Sequence, residues 1–430
     1  MLLHQVKLPH FKHSAESETV KLPMPDKVVI SMAQHLGAPC TPTVKVGDKV
    51  KIGDVIGSSE AAMSAPVHSS ISGTVTAITD VLHISGRNMQ SVVIENDGLE
   101  QISDSVCPPT VENREQFLQA VRNSGSIGLG GAGFPTSLKL GFDPKEKQPD
   151  FLIINGAECE PYITSDYRCF MEEGEDVLEG VLLMLKYLGI PKCVIGIEKN
   201  KPKAIEKMTR LCEKHDNITV KPLKSSYPQG AEKTLIFSTT GRVVKEGTLP
   251  LASGCIVINS STAAFIAQYI RTGMPLVKRR ITVDGNIVKK PSNFIVPVGM
   301  SIGEIVYYAE LSDKPDRIIL GGPMMGACAF DPDYPLSKTN NAVLMFADSP
   351  VYEPSDCIRC GKCVKACSMN LLPTELEHAF DMRDARQLEK LKVNLCVNCG
   401  ACSFVCPAKR NLAEKNQLAK AFLREQSTRK

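Results

Sequence analysis

Two runs of cysteine carry the clearest chemistry in this 430-residue chain. The first reads Cys357-Ile-Arg-Cys360-Gly-Lys-Cys363-Val-Lys-Ala-Cys367, and the second Cys396-Val-Asn-Cys399-Gly-Ala-Cys402-Ser-Phe-Val-Cys406-Pro407. Both keep the C-x2-C-x2-C-x3-C spacing that wraps a chain around a 4Fe–4S cubane. Three thiolates on one tight loop meet one cluster, and the fourth, on the following helical turn, serves the other. By that rule Cys357, Cys360, Cys363 and Cys406 hold one cluster, and Cys396, Cys399, Cys402 and Cys367 hold the second. Ser368 stands where a proline usually follows the fourth cysteine, which removes no ligand. Zinc sites pair two short cysteine hooks per ion and leave the repeated x3 cysteine unexplained. Disulfides need an oxidising compartment, and Met1–Lys21 mixes His, Lys and Glu without the apolar core of an export signal. The other eight cysteines (Cys40, Cys107, Cys159, Cys169, Cys193, Cys212, Cys255 and Cys328) are scattered and read as small buried apolar residues. Two cubanes move single electrons, so the electrons must enter somewhere else in the chain.

A glycine loop offers the entry. Ser126-Ile-Gly128-Leu-Gly130-Gly131-Ala-Gly133-Phe134-Pro135-Thr136 contains G-x-G-x-x-G. In a Rossmann fingerprint that loop follows a strand. Here Asn113–Asn123, with Phe117, Leu118 and Val121 at helical spacing, predicts a helix instead. Consecutive glycines still expose backbone N–H groups to a phosphate or a flavin ring. Farther on, the apolar strand signal Phe151-Leu-Ile-Ile154 runs into Asn155-Gly-Ala-Glu158-Cys-Glu160-Pro161. Polar side chains at the end of such a strand are placed to meet a ligand outside the sheet. Lys139, just beyond the loop, carries the right charge for a phosphate.

These segments resemble a known family. Gly128–Lys139 and Asn155–Pro161 are similar to the FMN- and NADH-binding segments of the flavoprotein subunit of respiratory complex I. The variant Asn-Gly-Ala-Glu-Cys-Glu-Pro resembles the RnfC family of the Rnf electron transport complex. So do Tyr227-Pro-Gln-Gly230-Ala-Glu232-Lys233, Gly247-Thr-Leu-Pro250 and Asn259-Ser-Ser-Thr262. The resemblance implies cofactor contacts at Gly128, Gly130, Gly131, Gly133, Lys139, Asn155, Glu158, Gly230, Asn259 and Thr262, with Glu160 and Glu232 near the nicotinamide nucleotide. Ala157 and Ala231 stand where the complex I pattern has acidic residues. The implied cofactors are FMN, NAD(H) and two 4Fe–4S clusters.

The elements that must position these residues suggest a multidomain α/β protein in four parts. In residues 1–105, Val44-Lys-Val-Gly47-Asp48 and Lys51-Ile-Gly53-Asp54-Val-Ile-Gly57 alternate apolar residues with Gly-Asp turns, and Ile71–Ile78 continues the style. This predicts a lipoyl-like β barrel-sandwich. No lysine occurs between Lys51 and Lys139, so there is no carrier lysine. His68 and His83 read as structural. Residues 110–265 alternate helix and strand signals (helices at Asp176–Leu188 and Lys201–His215, strands at Lys192–Ile197 and Asn217–Pro222), as an FMN/NADH-binding α/β layer domain requires. Residues 270–345 give a hairpin signal and a helix at Ser301–Ala309, which the resemblance reads as a β-grasp module. Residues 350–430 form a helical ferredoxin-type domain with a basic tail. From Arg386 to Lys430 basic residues outnumber acidic ones ten to three, which suits either a solvated helical face or docking to an acidic partner.

Composition narrows the remaining classes. With 50 Lys+Arg against 47 Asp+Glu, the net charge of +3 argues against a nucleic-acid binder. A hydrophobic fraction of 43% excludes general disorder. The longest uncharged run, between Glu246 and Arg271, is too polar and broken to span a membrane. A nicotinamide releases two electrons as hydride while a cubane takes one, and a flavin does both. The family therefore implies a ferredoxin:NAD+ oxidoreductase subunit of an Na+- or H+-translocating complex. It would sit on the cytoplasmic face of a bacterial inner membrane, with membrane and iron–sulfur subunits as partners and ferredoxin reached indirectly. Cobalamin reductase of bacterial microcompartments is the alternative enzyme, and a flavin-free iron–sulfur scaffold the alternative without catalysis.

Overall fold

The Gly-Asp turns are the local reason for the N-terminal β module. Gly47 and Gly53 take φ of +92° and +95°, conformations that side chains resist. Each following aspartate then closes its own turn, Asp48 Oδ2 accepting from Lys45 N at 2.9 Å and Asp54 Oδ2 from Lys51 N at 2.7 Å. In the computed structural model, which describes residues 4–428, this region forms two small antiparallel sheets. One has the order Lys27–Ser31, Asn88–Asn96, Gly73–Leu82, Lys49–Val50, and the other the order Thr41–Pro42, Val55–Ser58, Val67–His68. Val28, Ile30, Ile56, Val67, Val75, Val92 and Ile94 fill the space between them.

The second module is a four-stranded parallel sheet in the order Ile218–Leu223, Lys192–Glu198, Phe151–Gly156, Cys255–Asn259. Three of its strands, Lys192–Glu198, Phe151–Gly156 and Cys255–Asn259, are largely apolar runs because helices cover both faces. Gly174–Leu188, Pro202–Cys212 and Ser260–Thr272 pack on one face around Val181, Met184, Ile195 and Ile258. On the other face, Glu232–Thr240 packs around Ile153, Leu235 and Val257. The element before the glycine loop is a helix, Arg114–Asn123, capped by the Asn113 side chain.

The third module is a six-stranded sheet. Lys278–Asp284 and Ser292–Pro297 form an antiparallel pair, Ala342–Phe346 runs parallel to the first of them, and Arg317–Leu320 and Ala327–Cys328 follow outward. The helix Ile302–Ala309, started by a Ser301–Glu304 capping box, packs on it through Ile302 and Ile305. Residues preceding the β module do not join its sheets. Val20–Lys21 pairs in parallel with Phe294–Ile295 as an edge strand of the six-stranded sheet, and Val6 exchanges backbone hydrogen bonds with Tyr227 at 2.8 Å each.

The C-terminal part is helical, with Pro373–Asp381 packed on Leu412–Thr428 through Leu376, Phe380, Ala419 and Leu423. Among the described residues no helix is long and apolar enough to cross a membrane.

Candidate functional site

The parallel sheet ends on two asparagines in register, Asn155 on Phe151–Gly156 and Asn259 on Cys255–Asn259. Asn259 Oδ1 accepts from the amides of Ser261 and Thr262, capping the helix Ser260–Thr272, and its Nδ2 donates to Asp166 Oδ2 at 2.7 Å. Asp166 Oδ1 also accepts from Ser261 Oγ at 2.8 Å. Asn155 Nδ2 donates to the Gly230 carbonyl at 3.0 Å, while its Oδ1 accepts from Ala157 N at 3.1 Å.

The glycine loop lies against this edge. Thr262 Oγ1 accepts from Leu129 N at 3.0 Å, and a Cβ on Gly130 would sit 3.3 Å from Asn259 Nδ2. The loop is closed by Gly128 N donating to Phe134 O at 2.8 Å and Gly133 N donating to Gly128 O at 3.2 Å. The tip residues Gly130, Gly131 and Ala132 are exposed, and their amides donate to no protein acceptor among the described residues. Gly131 holds φ of +100°, with open space where a Cβ would point. A turn of unpartnered amides beside a capped helix N-terminus fits an anionic group such as a flavin phosphate. The structure thus brings Gly128, Gly130, Gly131, Gly133, Asn259 and Thr262 together, with Asn155 and Gly230 one strand away.

The charged residues are arranged differently from the sequence expectation. Lys139, in the short helix Thr136–Leu140, pairs with Glu232 Oε1 at 2.7 Å, so the residue expected at a phosphate and one expected near the nucleotide hold each other. Glu158 turns inward: its Oε1 accepts from Asp166 N at 2.8 Å, at the start of the helix Ser165–Glu172, and Oε2 has no protein partner. Burial pushes its carboxyl up to about 7, against the opposing pull of Lys12. Glu160 accepts from Met324 N at 3.0 Å and from the Tyr227 hydroxyl at 3.4 Å, and burial pushes it to about 7 as well. It fills the space beside Gly322, where a Cβ would lie 2.3 Å from the glutamate Cδ. The glycine-rich turn Gly321–Gly326 therefore receives Glu160.

Sequence reasoning missed two residues of this site. Lys12 runs beneath the loop after Asn155, its Nζ donating to the carbonyls of Glu158 (3.0 Å), Glu160 (2.8 Å) and Ile163. Burial lowers its ammonium to about 8. Asp166 was hidden because an acidic residue in the first turn of a helix is ordinary.

Both cysteine runs fold alike. Arg359 and Asn398, the same position in each copy, have φ of 54° and 53°, and Gly361 and Gly400 follow with φ of 72° and 74°. These turns aim amides at sulfur: Arg359 N donates to Cys357 Sγ, and Asn398 N to Cys396 Sγ, each at 3.4 Å. Short helices, Lys362–Ala366 and Ala401–Phe404, carry the third cysteine of each run. The thiol of Cys402 is pushed up to about 12 by burial and by the neighbouring thiols of Cys396, Cys399 and Cys367. That of Cys399 is raised to about 11 by burial, with Cys367 and Cys396 adding to it. Cys363 is raised by burial and by Cys406 and Cys357. These neighbours put Cys367 beside Cys396, Cys399 and Cys402, and Cys406 beside Cys357 and Cys363. Buried thiols that destabilise one another's charge suit a cationic iron cluster, which draws them as thiolates. Among the described residues no three side chains of His, Cys, Asp or Glu gather as one metal ion requires. A cubane takes each thiolate at a different iron, so its ligands stand wider apart.

The second cysteine run docks on the flavin-side loops. Tyr227 Oη donates to the Cys399 carbonyl at 2.6 Å, and Leu8, Tyr227, Ala366 and Ala401 form a buried apolar contact around it.

Comparison with known proteins follows the same partition. Residues 3–99 match the family model of the RnfC Barrel sandwich hybrid domain, 121–268 that of the Nuo51 FMN-binding domain, and 356–410 that of the 4Fe-4S dicluster domain. The chain is 41% identical over 358 residues to the C subunit of the Na(+)-translocating ferredoxin:NAD(+) oxidoreductase complex of Acetobacterium woodii, covering 82% of this chain and 81% of the relative. It is 39% identical to the proton-translocating counterpart of Clostridium ljungdahlii, covering 89% and 85%. To the C subunit of the ion-translocating oxidoreductase complex of Rhodobacter capsulatus it is 35% identical, covering 100% and 83%. Among solved structures, an NAD+-reducing [NiFe]-hydrogenase in the H2-reduced state matches with TM-score 0.51 at 20% identity. That match covers 72% of this chain and 63% of the hydrogenase chain, and it speaks to the fold alone. These matches give no support to the cobalamin-reductase reading.

Proposed function

The chain belongs to the RnfC family of ion-translocating ferredoxin:NAD+ oxidoreductase (Rnf) complexes, and from that premise we propose that it is the complex's nicotinamide-facing electron converter. FMN bound at the glycine loop would take electrons from NADH in pairs and release them singly to the two clusters, or the reverse. The observation that carries this reading is the meeting at one sheet edge of the open glycine turn, Asn259, Thr262 and Asp166, with the cysteine domain docked beside it.

The protein's own residues bind and orient. The amides of Gly130, Gly131 and Ala132 supply donors to the flavin phosphate, with the N-terminus of the helix Ser260–Thr272 behind them. Asp166 fixes the Asn259 carboxamide, and Asn155 fixes the Gly230 turn. Glu158 and Glu160, held inward, shape the loop between flavin and clusters. Glu232 and Lys139 meet at the edge of the site, and we assign Glu232 to the nucleotide side. Cys357, Cys360, Cys363 and Cys406 hold one cluster and Cys367, Cys396, Cys399 and Cys402 the other.

The four-part division at 1–105, 110–265, 270–345 and 350–430 is part of the same proposal. The β-grasp reading of the third part is supported by its strand order: the hairpin, then a parallel central strand, then two further antiparallel strands, with one helix packed across. Attachment is peripheral, through membrane and iron–sulfur subunits on the cytoplasmic face, with ferredoxin as the indirect partner. The test is cofactor analysis of anaerobically purified protein. Acid-released FMN together with about eight iron atoms per chain, and NADH-dependent dye reduction, support the reading. Protein that takes up neither cofactor overturns it.

A further inference from the structure

We propose that the two cluster sites are polarised: Cys367, Cys396, Cys399 and Cys402 form the inner site, facing the flavin loops, and Cys357, Cys360, Cys363 and Cys406 form the outer site, through which electrons pass between this protein and its partner. The inference rests on the electron-converter reading above and adds an order to it.

The inner assignment stands on three contacts. The Tyr227 hydroxyl, on a ring only 1% exposed, donates to the Cys399 carbonyl at 2.6 Å. The same oxygen lies 3.4 Å from Glu160 Oε1, on the loop that leaves the parallel sheet at Asn155. Gly400, next in the ligand loop, is pressed against Met324: a Cβ there would meet the Met324 carbonyl at 2.7 Å. Cys399 is therefore joined through Tyr227 to the carboxyl edge of the flavin sheet. Electron transfer weakens steeply with separation, so a docked cluster is the first acceptor.

The outer assignment stands on exposure. Every residue from Val351 to Cys360 is exposed, including both Cys357 and Cys360. Ile358, between them, is 68% exposed, and Arg359, Lys362 and Lys365 follow with three positive charges, against Glu353 and Asp356 before them. An apolar tip followed by three bases, beside an accessible cluster, fits a one-electron protein carrier with an acidic face.

Tyr227 is then a positioning residue with an electronic signature. Its hydrogen bond withdraws charge from a ligand residue of the inner cluster and raises that cluster's potential.

The experiment uses full-length holoprotein purified anaerobically, with the redox titration followed by EPR. Tyr227→Phe keeps the ring and removes the hydroxyl; one midpoint is expected to fall while the other stays, with iron and FMN content unchanged. In wild-type protein, a chelated dysprosium complex, which relaxes only centres near solvent, is expected to act on the cluster whose midpoint does not move. Movement of both midpoints or of neither, or dysprosium acting on the cluster that moves, overturns the polarity and leaves electron conversion standing. Loss of NADH-driven reduction of both clusters in the wild-type protein overturns electron conversion, and the polarity with it.

Discussion

Asn155 and Asn259 are direct partners across neighbouring parallel strands, yet their carboxamides turn to opposite sides, one to Gly230 and the other to Asp166. Each closes a different loop over the same sheet edge. The glycine turn is thereby held on the Asn259 side and the Tyr227–Gly230 turn on the Asn155 side. The gap between the two loops is set by the spacing of adjacent strands, about 4.8 Å, rather than by either loop.

Asp166 is the residue on which the Asn259 side depends. It accepts from Asn259 Nδ2 at 2.7 Å and Ser261 Oγ at 2.8 Å. Asp166→Ala leaves both donors without that partner, at a cost of about 1–3 kcal/mol. The expected result is a lower melting midpoint of the flavin-free protein and reduced FMN retention after gel filtration, with iron content unchanged. Wild-type flavin retention in the variant would show that Asn259 needs no external brace.

The difference between what the sequence announced and what it hid is a difference of range. Cluster ligation is local, three cysteines in seven residues, so spacing alone reveals it. The glycine loop and the apolar strand Phe151–Ile154 are local too, as are the Gly-Asp turns of the barrel. The bonds that assemble the site are not local. Tyr227 meets Cys399 across 172 positions and Lys12 meets Glu158 across 146. Nothing in the composition around Lys12 distinguishes it from a solvated lysine; only the fold buries it. Lys139 and Glu232 were each readable as ligand contacts, but their mutual pairing joins residues 93 positions apart.

Lys12 holds the loop that carries both inward glutamates. Its three carbonyl acceptors at Glu158, Glu160 and Ile163 share one ammonium. Lys12→Met keeps much of the side-chain volume and strands the Glu160 and Ile163 carbonyls, each worth about 1–3 kcal/mol when buried unpaired, while the Glu158 carbonyl keeps Lys201 Nζ at 3.4 Å. The variant is expected to lose several kcal/mol of stability and to cleave in limited proteolysis within residues 157–163, while intact wild-type protein resists. An unchanged cleavage pattern and melting midpoint would remove Lys12 from this role.

Lys338 ties the barrel to the segment entering the glycine loop, its Nζ donating at 3.0 Å to both the Pro66 and Gly125 carbonyls. Burial lowers its ammonium from 10.5 to about 7. Between about pH 7 and pH 10.5 the unfolded chain therefore holds more protons at this lysine than the folded one, so its contribution to stability rises with pH. The full swing is at most roughly 4–5 kcal/mol. Wild-type protein should gain in melting midpoint from pH 7 to pH 9 relative to Lys338→Met, which has no group to titrate there. Parallel profiles for the two proteins would refute the assignment.

Crossed ligation makes an arithmetic prediction for paired cysteine changes. If Cys367 completes the cluster held by Cys396, Cys399 and Cys402, then Cys367→Ser and Cys396→Ser damage the same site. The double variant should lose one cluster and keep about four iron atoms, the content of the other cubane. Pairing Cys367→Ser with Cys360→Ser instead damages both sites and should remove nearly all iron. Uncrossed ligation, with Cys367 completing its own run, gives the reverse: nearly all iron lost from Cys367→Ser/Cys396→Ser, and about four atoms kept by Cys367→Ser/Cys360→Ser. Iron per chain after anaerobic reconstitution, with the EPR signal of the surviving cluster, separates the two. The grouping of Cys402 with Cys367, and of Cys363 with Cys406, favours the crossed outcome.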